Sequence, residues 1–459
     1  MIHRYQKKGL NFVLDVNSGA VHLLDDISYA VSGLLDENMG DTCPQSIIDA
    51  LPDYTADEIR EAYDELYELK KAGQLFAQDD YIDVSRYIPV NAPVKALCLH
   101  VAHDCNLRCK YCFASTGDFG QGRKIMPPEI AKKAIDFVIA RSGVRHNIEV
   151  DFFGGEPLMA WDTVTQTVDY ARSLEEKHNK KFRFTITTNG LLLDEDKRKY
   201  INENMDNCVL SLDGRREVND EFRKTVAGTG SYDTIVPKFK ALVDERDPNL
   251  DYYARGTFTS HNLDFAEDVL SIADAGFDRL SVEPVTADPG CGYDLTEDDL
   301  PKIEAEYDRL TDIMLERKKE GKPFTFFHFM VDLDQGPCVV KRLRGCGAGY
   351  EYVAVTPDGD IYPCHQFVGK EEFKQGSVLD QSFNMDIAQK FAGMNIYSRP
   401  KCQKCWAKFY CSGGCSAANY NMNHDMNDSY DLGCEMERKR LECAIYLKAM
   451  DKICANQSK

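Results

Sequence analysis

No stretch of this chain approaches the roughly 18 consecutive apolar residues of a membrane span, so none is expected among its 459 residues. Nor does an apolar segment follow the basic residues of Met1-Ile2-His3-Arg4-Tyr5-Gln6-Lys7-Lys8. No secretory signal is read there, and a cytoplasmic location is expected. An excess of positive charge is missing too: 55 Lys and Arg stand against 75 Asp and Glu, a formal net charge of −20. Phosphate binding needs clustered Lys and Arg, so no nucleic-acid partner is expected. An acidic surface can attract a basic peptide, although solubility accounts for most of these residues. What the chain does have is seventeen cysteines. The cytoplasm keeps thiols reduced, so that number points to metal rather than disulfides.

Three of them, Cys105, Cys109 and Cys112, follow a C-x3-C-x2-C spacing, with Tyr111 just before the third. Iron–sulfur clusters usually take four thiolates; a site that stops at three leaves one iron for another ligand. A structural zinc is the alternative. It wants four ligands, and His103 is the nearby candidate for the fourth. Seven more cysteines lie between Cys346 and Cys434: Cys346, Cys364, the C-x2-C-x5-C-x3-C run of Cys402, Cys405, Cys411 and Cys415, and Cys434. Such runs also serve zinc, but an odd set of seven argues against a plain zinc pair. Cysteines 43, 98, 208, 291, 338, 443 and 454 carry no motif and are expected to be buried and structural.

Along the chain, residues 1–85 read as a small α+β unit. A hairpin is expected from Asn11–Val16 and Ala20–Leu24 around Asn17-Ser18-Gly19. Helices follow near 27–35, 47–51 and 59–69, and then a wing strand over 74–78. Residues 86–94, with two prolines, look like a linker. From 95 to 285, strands at 96–101, 148–153, 182–188, 208–212, 252–259 and 279–283 alternate with helical stretches such as 128–141, 161–177 and 264–274. That pattern predicts a parallel sheet covered by helices. A full barrel of eight units takes about 250 residues, so an incomplete (β/α)6 barrel is expected. Residues 286–345 form a connecting helical region, with a helix over 297–320. Segment 346–434 has little periodicity and is expected to depend on bound clusters, and 435–452 is a closing helix.

Four motifs follow the cysteine triplet in order. Gly154-Gly155-Glu156-Pro157, Thr187-Thr188-Asn189-Gly190 and Ser211-Leu212-Asp213-Gly214 come at strand ends, and Arg255 lies on the fifth strand. Glycines admit close backbone approach, Glu156 can accept from an amino group, and Arg255 offers a planar fork for a carboxylate. With the triplet, this stretch resembles the radical SAM superfamily. The resemblance implies S-adenosylmethionine chelated by the open iron. It places Gly154, Gly155 and Glu156 by the cofactor's amino group, with Thr187 and Asn189 close by. Ser211 and Asp213 would meet the ribose, Arg255 the carboxylate, and the backbone of Tyr111 to Phe113 the adenine.

The second cysteine array resembles the SPASM extension of radical SAM peptide-modifying enzymes. That resemblance implies one auxiliary cluster on Cys402, Cys405, Cys411 and Cys434, and another on Cys346, Cys364 and Cys415, making three 4Fe–4S clusters in all. Either Cys338 closes the three-thiolate cluster or its fourth iron is open to a substrate thiolate. Residues 1–85 resemble the peptide-recognition element of ribosomal-peptide pathways, a winged-helix-like module that takes a leader peptide on its hairpin edge. Taken whole, with Tyr362-Pro363-Cys364-His365-Gln366-Phe367, the chain is similar to the thioether-forming maturases of six-cysteine SCIFF peptides. This implies a cysteine-rich precursor peptide as partner and a reductant such as ferredoxin or flavodoxin. A deoxyadenosyl radical would take a Cα hydrogen, a peptide thiolate would form the C–S bond, and the auxiliary clusters would accept the electron. Two alternatives remain. Sulfatase-maturing oxidases carry Asp immediately after the cysteine matching Cys364, where this chain has His365. A non-catalytic electron carrier would need no S-adenosylmethionine motifs.

Overall fold

A computed structural model describes residues 1–87, 92–333 and 339–457. Strands β1 (Ile2–Lys7), β2 (Leu10–Asp15) and β3 (Val21–Leu24) form an antiparallel sheet in that order. The expected hairpin is its β2–β3 half, and β1 is an addition. Phe12, Val13 and Leu14 are all buried, on both faces of the central strand. Val13 packs with Ile59, Tyr63 and Leu66 of the helix Ala56–Lys71. That helix opens with a capping box between Thr55 and Glu58. Phe12 and Leu14 pack instead, with Tyr5, on Ile445 and Tyr446 of the long helix Asp431–Gln457. The wing strand expected over 74–78 is not formed. Phe76 takes a left-handed φ of 52°, which breaks an extended run. Residues 81–87, partly inside the expected linker, are helical.

The central sheet matches its expected strands to within about two residues, the usual scatter of assigned ends. It contains β4 (Ala96–His103), β5 (Lys124–Ile125), β6 (Asn147–Gly154), β7 (Lys181–Thr188), β8 (Asn207–Ser211), β9 (Asp251–Phe258) and β10 (Arg279–Pro284). All but β5 run parallel, in the order β10-β9-β8-β7-β6-β4. Strand β11 (Thr325–Phe326) adds in parallel beyond β10, and β12 (Tyr352–Val355) adds in parallel beyond β4. Strands β13 (Asp360–Tyr362), β14 (Gly376–Ser377) and β15 (Ser382–Phe383) continue the row antiparallel. The fold is therefore an α/β partial barrel whose cysteine-rich segment is sewn onto its first strand.

Side chains alternate across these strands. Phe182, Phe184 and Ile186 on β7 are buried with Val164, Val168 and Ala171 of the helix Trp161–His178. Thr185 and Thr187 point to the opposite face and stay partly open. Strand β4 is buried along its whole length. Leu97, Leu99 and Val101 join the barrel core, whereas Cys98 packs with Ala354, Tyr362 and Phe367. That second cluster gives 346–434 an apolar core that its lack of periodicity did not announce. Phe367, Phe373 and Phe391 are scattered without period in the sequence, yet they meet in it. Among the cysteines without a motif, Cys98, Cys208 and Cys443 are buried as expected, but Cys291 and Cys454 are exposed. Cys338 lies outside the described residues. Among those described, no helix is long and apolar enough to cross a membrane.

Because Phe12 fastens the N-terminal sheet to the long final helix, Phe12→Ala is expected to cost about 3–5 kcal/mol. Denaturant unfolding and amide exchange over β1–β3 would measure it; a cost under about 1 kcal/mol would show that the sheet is held by other contacts.

Candidate active site and cluster cradles

The loop after β4 carries the cysteine triplet, and backbone contacts pin it from two directions. The N–H groups of Arg108 and Lys110 donate to the carbonyls of Lys224 and Phe222, at 2.7 and 3.0 Å. Beneath the loop lie Gly154 and Gly155. A Cβ on Gly154 would collide with the Ala102 carbonyl, and one on Gly155 with the carbonyl of Asp104. These glycines let the cysteine loop settle on the end of β6; the sequence reading gave their freedom to a ligand instead.

A cavity of about 260 Å³ opens at these strand ends. Cys105, Cys109 and Cys112 line it, as do Tyr111, Phe113, Gly154, Gly155, Glu156, Thr187, Asn189, Ser211 and Arg255. The structure thus gathers every residue read for this site except Asp213, which stands behind the wall. Asp213 is fully buried and accepts from the Tyr111 hydroxyl at 2.6 and 2.8 Å and from the Thr257 N–H at 3.1 Å. Its carboxylate also pairs with Arg223 at 3.0 Å. Arg223, Thr257, Glu283 and Gln366 also line the cavity, and sequence reasoning missed them. Glu283 was within reach of the strand-end rule, and Thr257 shares its strand face with Arg255 two residues away. No local signal marks Arg223.

Glu156 is buried and already holds three donors: the Leu158 N–H at 3.0 Å, the Thr188 hydroxyl at 2.8 Å and the Asn189 N–H at 2.8 Å. It ties the two loops together. Burial outweighs these bonds and pushes its carboxyl up to about 7; a cationic ligand group in the cavity would favour ionisation. Asn189 reaches the Asn106 side chain at 2.8 Å and bridges back to the cysteine loop. Arg255 pairs with Glu283 on the next strand at 2.5 Å. His365 lines the same cavity, and burial, then Arg255, bring it down to about 4, so it is neutral at physiological pH.

Cys402, Cys405, Cys411 and Cys434 line a second cavity of about 320 Å³. Cys364 is buried, and its thiol is raised first by burial and then by Cys415 and Cys346. The first set thus shares one cavity, and Cys364, Cys415 and Cys346 stand near enough to act on one another. Burial lifts Cys105, Cys109 and Cys411 to about 12, and Cys434 to about 11. Such thiols give up their protons readily only to a metal. Among the described residues, no three His, Cys, Asp or Glu side chains close around a single ion. The thiols stand around cavities instead, a donor set that suits a cube with its irons at separate corners. His103 is buried and meets His100 at 3.1 Å, so its partner is another imidazole.

A further cavity of about 260 Å³, lined by Cys411, Cys415 and Cys434, shares Pro284, Val285 and Thr286 with the wall of the first cavity. On its other side the first cavity shares Tyr111, Cys112, Phe113, Thr286, His365 and Gln366 with an outer chamber of about 570 Å³.

The profile of the radical SAM superfamily matches residues 99–251, and that of an iron–sulfur cluster-binding domain, SPASM, matches 346–406. The chain carries a radical SAM domain and a SPASM domain. Those domains imply S-adenosylmethionine and 4Fe–4S clusters, and the cysteine-lined cavities fit them. A cysteine-type anaerobic sulfatase-maturating enzyme of Clostridium novyi is 25% identical over 354 residues, 72% of this chain and 90% of that protein. The radical SAM cyclopropyl synthase TigE of Paramaledivibacter caminithermalis is 24% identical over 353 residues, 72% of this chain and 70% of its own. The structure of Streptococcus suis SuiB bound to its precursor peptide SuiA shares the fold, with a TM-score of 0.51 at 17% identity over 94% of this chain and 97% of that one.

Gly155→Ala is expected to lower the iron content of the first cradle at least several-fold while leaving far-ultraviolet circular dichroism unchanged. Iron and sulfide analysis of reconstituted protein would detect it; full loading would show that the loop tolerates displacement.

Proposed function

We propose that this protein is a radical S-adenosylmethionine maturase that installs thioether bonds, from cysteine sulfur to α-carbon, in a ribosomally made, cysteine-rich precursor peptide of the SCIFF class. The observation that carries the reading is that the triplet-lined cavity has neighbours on both sides. It shares wall residues with the 570 Å³ chamber and, through Pro284, Val285 and Thr286, with a cavity lined by Cys411, Cys415 and Cys434. A peptide segment in the chamber would lie next to the first site.

When bound, the cluster and S-adenosylmethionine supply a deoxyadenosyl radical by reductive cleavage of the sulfonium. The chain's residues position and shield that chemistry. Cys105, Cys109 and Cys112 hold the cluster. Gly154, Gly155, Glu156, Thr187 and Asn189 form the wall for the methionine end, Ser211 faces the ribose, and Arg255, paired with Glu283, meets the carboxylate. Asp213 acts indirectly, through the Tyr111 hydroxyl. Cys402, Cys405, Cys411 and Cys434 would hold one auxiliary cluster, and Cys346, Cys364 and Cys415 another, completed either by Cys338 or by a thiolate of the peptide. Each bridge would cost the peptide one Cα hydrogen, one thiol proton and one further electron; the deoxyadenosyl radical would take the hydrogen, solvent the proton, and clusters held by these cysteines would supply the acceptor for the electron. The leader would add to β3, whose outer edge is unpaired among the described residues. Leu23 is 42% exposed there. A small acidic carrier such as ferredoxin or flavodoxin would supply the reducing electron.

The likeness to a sulfatase-maturating enzyme favours a second reading, formylglycine formation. The position after Cys364 holds a neutral His365 instead of a carboxylate base, which weighs against it. Mass spectrometry of reconstituted enzyme with cysteine-rich peptides decides between them. The expected product loses a pair of hydrogens per bridge and carries no aldehyde; an aldehyde would overturn the thioether assignment. Cys109→Ala should abolish deoxyadenosine release.

A further inference from the structure

Arg399 is 3% exposed and stands at the junction of the two auxiliary cradles. Its residue precedes the short helix Pro400–Gln403, which carries Cys402. Its Nη1 donates to the Gly413 carbonyl at 2.6 Å, between Cys411 and Cys415. Its Nη2 donates to the Ser416 hydroxyl at 2.9 Å, just after Cys415. A Cβ on Gly413 would collide with Nη1, and Gly413 itself has a left-handed φ of +89°, so the turn is shaped around the guanidinium. The thiols that act on Arg399 are Cys402 and Cys411 of one set and Cys415 and Cys346 of the other. Its Nε is buried with no hydrogen-bond partner. An orphaned buried donor is costly, and sulfur in a loaded cradle is a suitable acceptor.

We infer that Arg399 sets the reduction potentials of both auxiliary clusters, acting as one shared buried cation between them. Reduction adds negative charge to a thiolate-ligated cluster, and a fixed guanidinium nearby favours the reduced form. Each cluster then accepts an electron more readily, and reducing one alters the field at the other. Arg438, whose Nη1 lies 3.8 Å from Cys405 Sγ, touches only one set and makes the natural control.

The inference rests on the two-cradle reading proposed above, so the test starts from iron, sulfide and Mössbauer analysis of reconstituted wild-type protein. If it carries fewer than two auxiliary clusters, reading and inference both fall. With both present, electron paramagnetic resonance redox titration compares the variants. Arg399→Gln should shift both auxiliary potentials downward, each by at least a tenfold change in the one-electron equilibrium constant, about 59 mV, and leave the first cluster in place. Arg438→Gln should shift one auxiliary signal. Arg399→Lys keeps the charge and should keep both potentials near wild type. If Arg399→Gln loads poorly, Arg399→Lys decides: retained potentials support the inference. Unmoved potentials in a fully loaded Arg399→Gln, or a full drop in Arg399→Lys, overturn this inference alone.

Discussion

The parallel pairing of β12 with β4 is the contact on which the rest of the molecule depends. Tyr352 to Val355 run beside Ala96 to Leu99, and the Lys95 N–H anchors the start of the pair to the Glu351 carbonyl at 2.7 Å. Strand β4 therefore has partners on both sides, β6 and β12. Its own end launches the cysteine triplet, and a short hairpin beyond β12 launches Cys364 and His365. Strand β13 runs back along β12, with Tyr362 opposite Ala354, so Cys364 and His365 leave beside Tyr352 rather than at the end of β4 that bears the triplet. Ring contacts with Phe153 and Phe113, at 5.0 and 5.5 Å, accompany His365 to the cavity that Cys105 and Cys112 line.

Electrostatics divides the labour. Buried thiols in all three groups are weak acids in the metal-free protein, and loading replaces their protons with iron. Around them, charges are paired: Asp213 with Arg223 and Arg255 with Glu283 at the wall of the first cavity, and Asp268 with Arg215 behind it. Pairing keeps the cost of burying each ion down and leaves the open wall of the first cavity mostly neutral, lined by glycine, threonine, asparagine and aromatic side chains. A permanently cationic cofactor meets few competing cations there, apart from Arg223 and the already engaged Arg255.

Much of this was legible before the structure. The six parallel strands announced themselves because buried Phe182, Phe184 and Ile186, like Ile148, Val150 and Phe152, alternate with polar neighbours. The cysteine groupings came from resemblance alone, since spacing does not divide seven cysteines into sets. Residues that act from behind were hidden. Arg223 reaches Asp213 through the fold alone, and Asp213 looked like a ligand contact because its motif does not reveal which way the carboxylate turns. Strand β1 escaped because its pattern is only half apolar and its partner surface is the far end of the chain. The aromatic core of the cysteine-rich segment escaped because Phe367, Phe373 and Phe391 obey no helical or strand period. The wing at 74–78 was a false reading, undone by a single left-handed residue, Phe76.

The helix Asp431–Gln457 has one more consequence. It bears Cys434 in its first turn and Ile445 and Tyr446 further along, where Phe12 and Tyr5 grip it. The twelve residue steps from Cys434 to Tyr446 span about 18 Å at 1.5 Å per residue. The rod contains no proline, so a tilt at either end is carried to the other. The cradle at Cys434 and the N-terminal sheet thus share an axle, and the opening strands are clasped to the closing helix like a belt to its buckle.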